Sequence, residues 1–124
     1  MIFLDTHVIV WLYEGLVEKF TKEIQNKLNT KELFISPMSE LELDFLYEIG
    51  RINETGVRIV RNLDAHLGLN ISHVDFYKII EEAQQLTWTR DPFDRIIVAN
   101  AALFQAPLIT KDLKIQQNYS LAIW

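Results

Sequence analysis

Residues 90–112 run Arg90-Asp91-Pro92-Phe93-Asp94-Arg95-Ile96-Ile97-Val98-Ala99-Asn100-Ala101-Ala102-Leu103-Phe104-Gln105-Ala106-Pro107-Leu108-Ile109-Thr110-Lys111-Asp112. Asp91 suits a helix N-cap, and Pro92 suits the first helical position, where its missing N–H would have no partner anyway. The helix predicted here reaches about Gln105. Ile96, Ile97, Val98, Ala99, Ala101, Ala102, Leu103 and Phe104 are apolar all round it, and such a helix is buried. Leu108-Ile109-Thr110 then reads as a short strand, and Asp112 stands just past its end.

The same alternation extends in both directions. Ile2–Leu4 is a strand ending at Asp5, with helical sequence through Leu12 and again from about Val17 to Leu28. Leu33-Phe34-Ile35 is a second strand. Ser36-Pro37 opens a helix that Gly50 closes. An amphipathic helix spans roughly Gly56–Leu67, with Val57, Val60, Leu63 and Leu67 on one face. Leu69–Ile71 is a third strand, and Val74–Leu86 is helical with Phe76, Ile79, Ile80 and Ala83 inward. A short helix follows Asp112, and Leu121–Trp124 is a final strand. Strands alternating with helices in this way predict an α/β fold with a mostly parallel sheet and right-handed crossovers. Such sheets bind ligands beyond the carboxyl ends of their strands, where strand order reverses.

The bulk properties are compatible with this. The chain has 124 residues, 49% of them hydrophobic, which is enough for a real core and for one domain spanning 1–124. No apolar run approaches the roughly 20 residues of a membrane span, and Met1-Ile2-Phe3-Leu4 does not look like a signal peptide. There are no cysteines, so disulfides and thiolate metal sites are excluded. The expected location is the cytoplasm. The net charge is −5, which lacks the basic footprint of most phosphate-gripping proteins unless the acids gather where a metal neutralises them.

Four carboxylates merit that reading. Asp5 and Asp112 each follow a strand and precede a helix, so each is either an N-cap or a ligand at the open end of the sheet. Glu42 falls, at about 100° per residue, in the stripe Met38, Leu41, Phe45 and Ile49. A carboxylate in an inward apolar stripe costs several kcal/mol unless something pairs with it. A salt bridge and a metal ion are the two candidates, and the other acids favour the metal. Asp94 occupies the third position of its helix, where a negative charge meets the positive helix end. It also lies near Val98 and Ala101, a face that permits close approach of another element. Oxygen ligands without His or Cys point to Mg²⁺ or Mn²⁺. Carboxylate-bound Mg²⁺ mostly serves phosphoryl chemistry.

Leu4-Asp5-Thr6-His7, Ser36 to Glu42 continuing into Leu46-Tyr47-Glu48-Ile49-Gly50-Arg51, Arg90-Asp91-Pro92-Phe93-Asp94-Arg95, and Leu108-Ile109-Thr110-Lys111-Asp112 together resemble the PIN-domain ribonucleases. The resemblance is closest to VapC-type toxins of bacterial toxin–antitoxin pairs and covers essentially the whole chain. It implies a three-layer sandwich around a five-stranded sheet of order 3-2-1-4-5, which makes the first and fourth strands neighbours. It implies metal binding and catalysis by Asp5, Glu42, Asp94 and Asp112, with Thr110 at a frequent Ser/Thr position. It also implies an RNA substrate hydrolysed by a metal-activated water, a homodimer, and a cognate antitoxin over the active-site groove. Leu43 and Tyr47, on the outward side of the Glu42 helix, are candidates for such an interface. Thr6, Asp91, Arg90 and Arg95 are candidate supporting or phosphate-contacting residues, and Lys111 and Lys114 lie near enough in sequence to join them.

Other readings remain in view. A His-pair ribonuclease would use His7, His66 or His73 without metal. A receiver-like Mg²⁺-binding module would expect paired acids after the first strand and a lysine after a late one. A regulatory partner module would not need all four acids intact.

Overall fold

The computed structural model describes residues 1–124. Its strands are β1 (Ile2–Leu4), β2 (Leu33–Ile35), β3 (Asn70–Ile71), β4 (Leu108–Ile109) and β5 (Ala122–Ile123). They form one sheet in the order β3-β2-β1-β4-β5, and every pair is parallel. Order and direction are those the resemblance implies. β1 and β2 are short because each runs directly into a helix cap, Asp5 and Ser36.

The helices are α1 (Thr6–Tyr13), α2 (Lys22–Thr30), α3 (Pro37–Glu48), α4 (Gly56–Leu67), α5 (Phe76–Ala83), α6 (Pro92–Leu103) and α7 (Leu113–Asn118), with a 3-10 turn at Val17–Lys19. Two predicted helices are shorter than expected. The one from Val17 breaks at Phe20, which is extended (φ −100°, ψ 141°), and Thr21 starts α2 afresh by accepting the Ile24 N–H. The one from Val74 begins only at Phe76, because Asp75 caps it through the Tyr77 N–H.

Alternate strand residues feed two cores, as a sheet covered on both faces requires. Ile2, Leu4, Leu33, Ile35 and Ile109 meet α1, α2 and α4 on one side. Phe3 and Leu108 meet Ile97, Val98 and Ala101 of α6 and Ile115 of α7 on the other. The expectation of a buried α6 is met from Ile97 to Ala101, although Leu103 and Phe104 reach solvent.

The structure overturns the expected inward face of α3. Ser39, Leu43 and Leu46 are buried, whereas Leu41, Phe45 and Ile49 are exposed. Leu43 therefore belongs to the core and not to an outer surface; Tyr47 is exposed as expected. The cause lies in another element. At Gly56 the α4 N-terminus runs so close to α3 that a Cβ there would stand 2.5 Å from the Glu40 carbonyl oxygen. The Gly56 N–H donates to Asp44 Oδ1 at 2.8 Å. This contact rolls α3 so that Leu43 faces the core. α4 is rotated slightly too: Ile59, Val60 and Leu63 are inward, while Val57 and Leu67 are exposed. On α5, Ile79 and Ala83 are buried but Phe76 is largely exposed.

Candidate active site

β1 and β4 lie side by side, and their carboxyl ends bring Asp5 and Thr110 together. Asp5 is 6% exposed. Its Oδ1 accepts the Thr6 N–H at 2.8 Å, capping α1, and its Oδ2 accepts the Thr110 hydroxyl at 2.7 Å. Thr110 Oγ1 in turn accepts the Asp112 N–H at 3.0 Å. Asp112 Oδ1 accepts the Ile115 N–H at 3.0 Å and so caps α7. One buried threonine thus ties the β1 acid to the loop carrying the β4 acid. For Asp5 and Asp112, capping and membership of an acidic group coexist.

Glu42 and Asp94 approach from the helices that border the same end of the sheet. Burial raises the Glu42 pKa, the nearby Thr6 hydroxyl and His7 lower it, and the charges of Asp5 and Asp91 raise it. The case for Glu42 from an inward stripe does not survive, since that stripe faces solvent. Glu42 is partly buried beside the start of α1, where the Thr6 hydroxyl reaches it. Burial also raises the Asp5 pKa, opposed by the Thr110 and Thr6 hydrogen bonds and His7, with Asp112 adding to the rise. Asp94 is pushed up to about 7, first by burial and then by Asp91, Asp5, Asp112 and Glu42 in turn. One carboxyl therefore lies in the field of four others.

No lysine or arginine relieves this charge. The ion pairs of the structure are Lys27–Glu23 and Arg58–Glu54, neither involving these acids. Arg95 makes a structural contact. Its Nε and Nη2 donate to the Ala83 carbonyl at 3.1 and 3.0 Å, and Nη2 also reaches Gln84. It ties α6 to carbonyls at the end of α5, and Nε and Nη2 are engaged there. Arg90 is exposed, with Nη1 donating to the Thr87 carbonyl at 2.9 Å. Asp91 caps α6 through the Phe93 and Asp94 N–H groups, as read from the sequence.

The donor set fits a hard divalent cation. It consists of carboxylate oxygens without a protein cation, together with the Thr6 hydroxyl, which is buried and makes no hydrogen bond of normal geometry. No three of the acids already form a closed ligand group. The Thr6 hydroxyl is the group placed to favour the charged form of Glu42. Two aromatic residues that sequence reading passed over, Trp11 and Trp124, stand beside this site. Trp11 follows His7 by four residues on α1, a spacing that puts both on one helix face. Nothing local signals Trp124.

The sequence model of the PIN domain family matches residues 2–120. The chain belongs to the PIN domain family. Sequence comparison with curated proteins finds no match. Among solved structures, this PIN chain is similar to VapBC2 of Rickettsia felis bound to a promoter DNA fragment, with TM-score 0.68 at 18% identity, over 100% of this chain and 98% of that one. It is also similar to a toxin–antitoxin complex from Klebsiella pneumoniae, with TM-score 0.67 at 19% identity, over 100% and 97%. A third is VapBC-1 of nontypeable Haemophilus influenzae, with TM-score 0.68 at 19% identity, over 100% and 96%. At these identities the likeness is one of fold. No helix of the PIN chain is long and apolar enough to cross a membrane.

Proposed function

We propose that the protein is a metal-dependent endoribonuclease acting as the toxin of a toxin–antitoxin pair. The observation that carries this reading is the Asp94 carboxyl, pushed up by burial and by the charges of Asp91, Asp5, Asp112 and Glu42, with no lysine or arginine paired to these acids. In a PIN fold, uncompensated acids at the carboxyl ends of β1 and β4 favour a cation-assisted reaction on an anionic substrate. Asp5, Glu42, Asp94 and Asp112 are the proposed ligands. Mg²⁺ or Mn²⁺ held there would activate water and neutralise charge on a phosphodiester. Thr110 positions Asp5 and the Asp112 loop, Thr6 sets its buried hydroxyl beside Glu42, and Asp91 builds the helix start that presents Asp94. Arg90 is placed to meet a phosphate from solvent.

The fold neighbours are toxin–antitoxin complexes, and this supports a protein partner of that kind here. Leu41, Phe45 and Ile49 of α3 are the exposed apolar side chains such a partner would cover. A homodimer working in the cytoplasm completes the proposal, and sedimentation of the purified protein checks the assembly state.

Purified protein should cleave single-stranded RNA with Mg²⁺ or Mn²⁺, stop on chelation, and be inactive as Asp5→Asn or Asp94→Asn. Cleavage persisting after exhaustive chelation would sink the reading and favour the histidine route. Single His7→Gln, His66→Gln and His73→Gln variants should all retain activity. The receiver-like alternative is weakened by Lys111, whose Nζ lies over the Trp11 and Trp124 rings and not among the acids.

A further inference from the structure

Beside the acids stands a cationic and aromatic surface drawn from four separate parts of the chain. Trp11 comes from α1, Lys19 from the 3-10 turn, Lys111 from the loop after β4 and Trp124 from the residue after β5. The sheet order makes β1, β4 and β5 consecutive, so three of these residues cluster near one end of the sheet. The two indoles meet edge to face at 5.7 Å. Each also packs on Phe20, at 6.3 and 5.7 Å, and Phe20 is buried and anchors the pair to the core. Neither indole is itself buried. The Lys19 ammonium lies 5.1 Å from the Trp11 ring. The Lys111 ammonium lies 6.0 Å from Trp11 and 5.7 Å from Trp124. Neither lysine pairs with a carboxylate.

His7 joins this surface to the acids. Its ring is 6.3 Å from Trp11 and it follows Asp5 by two residues, while Lys111 stands between Thr110, which donates to Asp5, and Asp112. In a chain of net charge −5, two ammonium groups without a carboxylate partner gather over half-buried indoles. Indole faces stack on unpaired bases, and ammonium groups hold the phosphates between them. A duplex hides its base faces, so it would use only half of such a surface.

We propose that Trp11, Trp124, Lys19 and Lys111 form a platform that seats a single-stranded segment of RNA next to the acids. The choice of RNA rests on the nuclease reading above; the stacking and charge of the platform are independent of cleavage. The platform sets where along the strand the scissile phosphate falls, because bases seated on the indoles fix the register of the backbone passing His7.

The test is binding of a fluorescein-labelled 12-nucleotide oligouridylate in EDTA, read by anisotropy and by quenching of tryptophan fluorescence. The wild type should bind. Trp11→Leu and Trp124→Leu should each weaken binding about ten-fold. Lys111→Gln should weaken it less and lower the slope of log affinity against log salt by about one. An RNA duplex of equal length should compete poorly. Circular dichroism checks folding; if a tryptophan variant unfolds, the Lys19→Gln/Lys111→Gln double variant, which changes only exposed groups, carries the test. Folded variants that bind like wild type, or a duplex that competes as well as the single strand, overturn the platform. The two proposals fail separately. Wild type that binds in EDTA but cleaves nothing with Mn²⁺ overturns the nuclease reading alone. Wild type that cleaves, with platform variants of unchanged kcat/KM, overturns the platform alone.

Discussion

Asp94 sits at the positive end of α6, where a carboxylate is ordinarily favoured, yet its pKa is pushed up to about 7. Burial and four neighbouring acids outweigh the helix end. The consequence for stability follows from proton linkage. Well below pH 4 the group is protonated folded and unfolded, and it contributes nothing. Between about 4 and 7 the unfolded chain gives up its proton while the folded chain keeps it. Metal-free stability therefore falls as pH rises through that window and levels off above it. Asp94→Asn should be more stable than wild type at pH 8 without metal, by roughly 1–2 kcal/mol after allowing for solvent screening, and by much less at pH 4. Urea denaturation at the two pH values checks this; a destabilised variant at pH 8 would mean that the acid is structural. Thr110 makes the opposite kind of contribution. Thr110→Val removes the hydroxyl shared by Asp5 and the Asp112 loop, and should weaken Mn²⁺ binding ten- to a hundred-fold by calorimetry. Thr110→Ser should restore most of it.

Among the elements, α3 decides most. It carries two apolar sets, Leu41-Phe45-Ile49 and Leu43-Leu46, and either could face a core. The close approach at Gly56 selects the second. Gly56→Ala would drive a Cβ against the Glu40 carbonyl, which is backbone and cannot swing aside. The variant should lose about 1–3 kcal/mol and, because α3 must shift, should also displace Glu42. Thermal melts together with Mn²⁺ titration separate the two effects. The tie from Arg95 to the end of α5 acts similarly, holding α6 and hence Asp94 in place. The sequence signals for this residue were ambiguous, because an arginine beside an acid at a helix start suits a phosphate as well as a carbonyl.

For the whole molecule, the five parallel strands bring Asp5 and Asp112 together although 107 positions separate them in sequence numbering (112 − 5). The acids that helices α3 and α6 add make a folded state strained by like charge. Divalent metal should relieve this by mass action. At a hundred times its Kd, Mn²⁺ should stabilise wild type by about 2.7 kcal/mol, raising Tm clearly, and should stabilise Asp94→Asn much less. Equal shifts in both proteins would mean that the metal binds elsewhere. Net charge, which at first argues against a polyanionic partner, becomes a property of one end of the sheet.

The strands, most helix starts and the acids at element ends were legible in the sequence, because caps, prolines and hydrophobic period act between residues close along the chain. The strand order and the grouping of the four acids were legible only through family resemblance. The tertiary structure alone decided which way α3 turns, that Arg95 serves α5, and that Trp11 meets Trp124 beside Lys111. These are contacts between distant segments. Rotation of a helix about its own axis is set by whatever packs against it, and a helix with two apolar stripes does not record which one its neighbours will cover.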